Sequence, residues 1–287
     1  CIAGKYKTQT GSATCTLCNA GQYSNQVGAS SSGTCVNCPT GTYSNAVRAW
    51  PCSSCASDSN SPSASDDFSD CLCNVGYTGP DGGPCTACVP GKYKTVTGAA
   101  ACQDCPVGYY HSSAARWFSC LACSPGKYAN ETGSSTCRDC PANSASSSSG
   151  SDWCLCNRGY SGPDGGPCTA CEPGKFKTVS GSGACQACPA GAYHQQPGQY
   201  VGCSTCVAGK YANGTGNSFC RDCASGSFSN PNSQFRTDCK CNVGYTGPDG
   251  EPCDACAAGK YKTQTGSATC TLCNAGQYSN QVGASSS

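Results

Sequence analysis

Cysteine returns along this chain at two alternating distances, a short step of three residues and a long step of about 15. No other feature limits the possible folds as strongly. Of 287 residues, 33 are Cys, a density that marks a disulfide scaffold. Large aliphatic and Phe side chains are scarce: Ile, Leu, Val and Phe together number 24 of 287. A globular domain of this length needs far more apolar bulk for a core. Disorder is the usual result of low hydrophobicity with high charge, yet only 11% of residues are charged. Order must therefore come from covalent staples, each loop closure of about 15 residues contributing roughly 3 kcal/mol in the chain-entropy account.

The spacing repeats at three levels. Cys71-Leu-Cys73-Asn-Val-Gly76-Tyr77-Thr-Gly-Pro-Asp-Gly-Gly-Pro-Cys85-Thr-Ala-Cys88 returns at Cys154–Cys171 with two changes and at Cys239–Cys256 with three. This divides the chain into super-repeats 1–87, 88–170 and 171–255, with a fourth begun at 256–287. Above that, residues 1–32 and 256–287 agree at 31 of 32 positions, Ile2 against Ala257 being the difference. Beneath it lies a loop motif: Cys-x-x-Gly-x-aromatic, about nine residues, then Cys-x-x-Cys, as at Gly4-Lys5-Tyr6, Gly126-Lys127-Tyr128 and Gly174-Lys175-Phe176.

The expected fold is small and disulfide-rich, an elongated tandem array of short β-hairpin loops with little or no helix. Gly before the aromatic permits a tight turn. The aromatic is read as starting an extended segment such as Tyr93–Thr97, which Gly98 turns back. Apolar residues never recur at helical spacing over a useful length. Ser-rich 57–65 and 143–151 read as surface loops. Tyr6, Tyr23, Tyr93, Tyr128 and Tyr211 are expected to pack on disulfides as miniature cores, a sugar-binding ladder being the alternative.

Bonding the second Cys of each pair to the first of the next gives an uncrossed ladder: Cys1–Cys15, Cys18–Cys35, Cys38–Cys52, Cys55–Cys71 and Cys73–Cys85. It continues as Cys88–Cys102, Cys105–Cys120, Cys123–Cys137, Cys140–Cys154 and Cys156–Cys168. The last rungs are Cys171–Cys185, Cys188–Cys203, Cys206–Cys220, Cys223–Cys239, Cys241–Cys253 and Cys256–Cys270. Cys273 is left over. Its repeat partner, the counterpart of Cys35, would fall three positions past Ser287, so its solitude is read as truncation. With neither Met nor a visible signal peptide, the chain is read as a stretch of a longer protein.

Cys-x-x-Gly-x-Tyr followed by Cys-x-x-Cys resembles the ephrin-receptor-like cysteine-rich repeat, itself similar to the first loop of tumour-necrosis-factor-receptor modules. The Cys-x-Cys tails, Cys71-x-Cys73-x-x-Gly76-Tyr77 to Cys85, with Cys156–Cys168 and Cys241–Cys253, resemble the C-terminal half of EGF. That second resemblance implies crossed bonds before the tail, Cys38–Cys55 and Cys52–Cys71. Spacing does not choose between the two connectivities; the ladder is favoured because most of each unit repeats the simple loop. Such modules build stalks, adhesion ectodomains and filaments, and long arrays rich in Ser and Gly are similar to surface proteins of algae and protists, including flagellar hairs (mastigonemes).

Other chemistries fit less well. Cys-x-x-Cys pairs 17 apart are a zinc signature, but ten Cys per unit do not divide into fours and His occurs only at His111 and His194. Redox catalysis needs one reactive dithiol, whereas here the motif recurs in every loop. Asp66, Asp67 and Asp70 occur in one unit without a calcium-loop pattern. Neither His has a nucleophile assigned to it, so no catalytic residue, metal or cofactor is expected. A net charge of +1 gives no footprint for nucleic acid, and no apolar run is long enough to span a bilayer. Heavy Cys usage implies an oxidising compartment, extracellular or at the cell surface. Asn130-Glu-Thr132 and Asn213-Gly-Thr215 are N-glycosylation sequons in one register,. Ser61, Ser63 and Ser146–Ser149 are candidate O-glycan carriers. The expected partners are further copies of the chain and covalent glycans, in a glycosylated fibre, or alternatively in the stalk of a receptor or adhesion ectodomain.

Overall fold

The structure, a computed structural model, describes residues 1–11, 14–45 and 51–286. Within them the only regular elements are two-residue strands and three single 3₁₀ turns, Ser32–Thr34, Phe68–Asp70 and Arg236–Asp238. The strands pair into 16 antiparallel hairpins, and no hairpin extends into a larger sheet.

Most hairpins follow from the loop motif. The first strand is the dipeptide ending in the aromatic, such as Lys92–Tyr93; the second is the dipeptide between the two cysteines, such as Gln103–Asp104, with Lys92 opposite Asp104 and Tyr93 opposite Gln103. The exceptions flank the tails, where strands such as Ser59–Asn60 carry no aromatic and strands such as Tyr77–Thr78 begin with it. The Cys-x-x-Cys spacing thus has a mechanical reason. Two residues make the return strand, the Cys before it closes its own loop, and the Cys after it opens the next. Disulfides join Cys88 to Cys102 and Cys105 to Cys120.

All 16 disulfides follow the uncrossed ladder, from Cys1–Cys15 to Cys256–Cys270, and the crossed EGF-type bonds do not form. Cys55 pairs with Cys71 and Cys73 with Cys85. Cys273 makes no disulfide and is half-buried.

Contacts divide the chain into two units. The first comprises Cys1–Asp139 with Ser146–Trp153, the second Cys140–Ala145 with Cys154–Ser287. In the first, successive loops dock through a fixed set of backbone bonds. Gly91 N–H donates to His111 O (2.8 Å), Lys94 N–H to Arg116 O (3.1 Å) and Ala115 N–H to Cys88 O (2.9 Å). The second unit repeats the set: Gly174 to His194 (2.8 Å), Lys177 to Gln199 (3.0 Å) and Gly198 to Cys171 (2.8 Å). Two-residue strands cannot satisfy their own backbone groups, so neighbouring loops do.

This docking ends the strand sooner than the sequence predicts. Tyr93 closes the strand instead of starting it, because Lys94 turns its N–H to the next loop. The Ser-rich stretches are not purely surface loops either. Ser59–Asn60 and Ser144–Ala145 are strands, and Ser61, Ser65 and Ser146 are buried.

The buried apolar residues among those described are half-cystines, five alanines and Tyr211; no Leu, Ile, Val or Phe is among them. The other motif aromatics, Tyr6, Tyr23, Tyr93 and Tyr128, are half-buried rather than enclosed in a core.

Candidate functional site

The position after the loop aromatic is the side-chain position, cysteine apart, that is most regularly buried. Buried there are Ser24, Ser44, Lys94, His111, Ala129, Lys177, His194, Ala212, Ser229 and Lys262, whereas Lys7 and the tail residues Thr78, Ser161 and Thr246 are half-buried. The carbonyl at the buried position accepts the motif glycine N–H of the preceding loop, as Lys94 does from Gly76 at 2.8 Å. The next loop covers it from the other side, so whatever stands there must be small or internally satisfied.

Lysine occurs there in the first loop after each tail. Lys94 is 2% exposed. Its ammonium donates to Tyr77 O in the tail (2.6 Å) and to Gly98 O in its own loop. Lys177 bonds Tyr160 O (2.8 Å) and Gly181 O, and Lys262 bonds Tyr245 O (2.7 Å) and Gly266 O. Burial holds Lys94 and Lys262 below the ordinary lysine value, an effect that Asp81 and Asp249 partly offset. The sequence gives no sign of these lysines, because a two-residue strand carries no periodicity from which burial could be read.

His111 and His194 take the same position in second loops. Their Nε2 atoms bond backbone carbonyls, His111 those of Phe118 (3.1 Å) and Ser119 (3.0 Å), His194 that of Val201 (3.0 Å). Both rings are structural pins, bonded to backbone rather than to a hydroxyl, thiol or carboxylate. The acidic cluster is also local. Asp67 accepts from Ser69 N–H (2.9 Å) and hydroxyl (2.7 Å), and Asp70 accepts from Asp66 N–H (3.1 Å), which caps the 3₁₀ turn. The Ser69 bonds lower the Asp67 carboxyl below its usual value. Among the described residues no group of three or more His, Cys, Asp or Glu is placed to hold a metal ion.

The outward-facing positions are the remaining candidates. Asn130 and Asn213 are exposed, each directly after a buried alanine, Ala129 or Ala212. Of the candidate O-glycan carriers, Ser61 and Ser146 are excluded. Both are buried, and their hydroxyls donate to Thr42 O and Lys127 O, each at 3.0 Å. Ser63, Ser147, Ser148 and Ser149 are exposed. No helix among the described residues is long and apolar enough to cross a membrane.

The family described as tyrosine-protein kinase ephrin type A/B receptor-like matches residues 159–200 and 244–287. Each stretch starts at a tail glycine, Gly159 or Gly244, and runs into the second loop that follows. None of the curated proteins matches the chain. The chain is a cysteine-rich tandem-repeat protein. Its disulfide ladder and matched repeats are those of an extracellular or cell-surface module, structural or binding in kind.

Proposed function

We propose that the chain is a structural subunit of an extracellular, glycosylated filament, of the kind seen in flagellar hairs, that assembles with further copies through equivalent repeat surfaces. The observation that carries this reading is the docking set itself. The same backbone bonds recur from loop to loop, and residues 1–32 return at 256–287 with one change. Repeats that contact mainly their neighbours extend in one dimension, and identical patches at regular intervals favour heterologous contacts that run on as filaments. The functional period is the super-repeat, 1–87, 88–170, 171–255 and the portion 256–287. Glycans on Asn130 and Asn213 coat the outside, which the exposure of both residues supports.

The test is negative-stain microscopy of native material, untreated, reduced and chelated. Filaments with an axial repeat, lost on reduction and indifferent to chelator, are expected. Isolated rods at all concentrations would sink the filament and leave the ectodomain stalk, which the receptor-type family match favours. Collapse with chelator alone would mean that a metal holds the fold.

A further inference from the structure

The loops closed by Cys105–Cys120 and Cys188–Cys203 differ from their sister Cys18–Cys35 at two linked places. Ser24 is replaced by the buried His111 and His194. Ser30 is replaced by Trp117 and Tyr200, which are 61% and 54% exposed. The register is set by Gly28, Ala115 and Gly198, whose N–H groups donate to Cys1, Cys88 and Cys171 at 2.8, 2.9 and 2.8 Å.

The histidine is what links the two changes. His194 Nε2 bonds the carbonyl of Val201, the residue after Tyr200, at 3.0 Å. On the other side Lys177 N–H holds the carbonyl of Gln199 at 3.0 Å. Tyr200 is therefore fixed between two anchored carbonyls while its ring stays in solvent. Leaving a large ring exposed on a rigid turn contributes nothing to the loop's own packing.

Beside that ring the chain makes a third change. The tails read Asn-Val-Gly at Val75 and Val243, but Asn157-Arg158-Gly159 in the middle copy. The Arg158 guanidinium lies over the Tyr200 ring, 5.4 Å from its centroid. It has no hydrogen bond or ion pair among the described residues. Asn157, Arg158, Ser180 and Tyr200 line a shallow cavity of about 330 Å³.

We propose that this cavity binds an anionic saccharide, a sugar ring carrying a carboxylate or sulfate. The unpaired guanidinium offers a planar fork of donors that matches two oxygens of such a group. The face of Tyr200 suits the apolar C–H face of a pyranose, with one apolar surface and polar edges on each partner. Asn157 and Ser180 can exchange hydrogen bonds with ring hydroxyls. The volume suits one sugar unit, and the anchored backbone spares the entropy of ordering the loop.

The chain supplies its own test variants. Arg158→Val installs the residue of Val75 and Val243, and Tyr200→Ser that of Ser30 and Ser285, so both are compatible with the loop; mass spectrometry of the intact disulfides checks this. The disulfide-bonded chain is titrated with uronate-bearing, sulfated and neutral oligosaccharides. Binding of an anionic ligand is expected, with neutral analogues and both variants weaker by about tenfold or more, and Arg158→Lys between. No binding up to about 1 mM, equal affinity for neutral sugars, or unchanged binding by Arg158→Val would overturn the proposal. So would loss of self-association in Arg158→Val without any saccharide binding, which would assign the cavity to a protein contact. The filament microscopy does not depend on this result.

Discussion

Single residues carry the stacking of loops, and glycine shows it most sharply. Gly91 has φ +85, and a Cβ there would lie 2.0 Å from Gly133 O, a carbonyl two loops further on. Gly126 occupies the same motif position at φ +82 with nothing within 4 Å. Gly126→Ala should therefore cost only the left-handed strain, about 1 kcal/mol, whereas Gly91→Ala should cost several-fold more, on the order of 3 kcal/mol, because backbone must move. Local hydrogen exchange on both variants measures the difference. Lys94 makes a second prediction at this scale. Burial depresses its pKa, so the unfolded chain binds more protons than the folded one between the folded pKa and the ordinary 10.5. Stability should rise with pH through that window and be lowest below it. Lys94→Met, which keeps the stem and drops the charge, should flatten the slope in denaturant titrations across alkaline pH. Amine-reactive labelling at neutral pH should spare Lys94, Lys177 and Lys262 while modifying the half-exposed Lys92 and Lys127.

At the scale of the hairpin, the staple outweighs the strand pair. Lys92 faces Asp104 across its hairpin at 2.7 Å and Lys210 faces Asp222 at 2.6 Å, with all four side chains well exposed. Such pairs contribute less than about 1 kcal/mol, and a two-stranded ribbon of this length is not stable alone. Removing the Cys105–Cys120 bond, which spans 15 residues, should cost about 3 kcal/mol. Since a loop contacts neighbours one and two places away, as Gly91 does His111 and Gly133, lost protection should spread one and two loops to either side, from Cys73 to Trp153, and stop there. Exchange mapped by mass spectrometry on Cys105→Ser/Cys120→Ser checks this. Uniform loss along the chain would mean longer-range cooperativity than nearest-neighbour stacking provides.

At the scale of the whole molecule, the buried apolar set among the described residues is cystine, alanine and Tyr211, so thermal unfolding with disulfides intact should expose little apolar surface. Calorimetry should give a heat-capacity change well below the usual ~12–15 cal/mol/K per residue, and a shallow, broad transition. Full reduction should unfold the chain without heating, since no aliphatic core remains to hold it. Material secreted by a glycosylating host should lose mass at both Asn130 and Asn213 on enzymatic deglycosylation, and the Asn130→Gln/Asn213→Gln variant should lose none.

The cysteine spacing was enough to give the class of fold and the hairpin loops; it left two connectivities open, and the repetition of the simple loop favoured the ladder. Loops of 12 to 17 residues close locally, and local closure needs no knowledge of distant neighbours. The tandem periods and exposed sequons were legible for the same reason, being linear patterns. Which residues lie inside was decided only by stacking. Lys94, His111 and Ser146 read as polar surface in sequence, yet each is buried and bonded to carbonyls of its own loop or of the preceding one. The pairing of Arg158 with Tyr200 was hidden likewise, since it joins a tail to the second loop beyond it. A contact of that kind exists only once the intervening loop has docked, and no spacing within either segment encodes it.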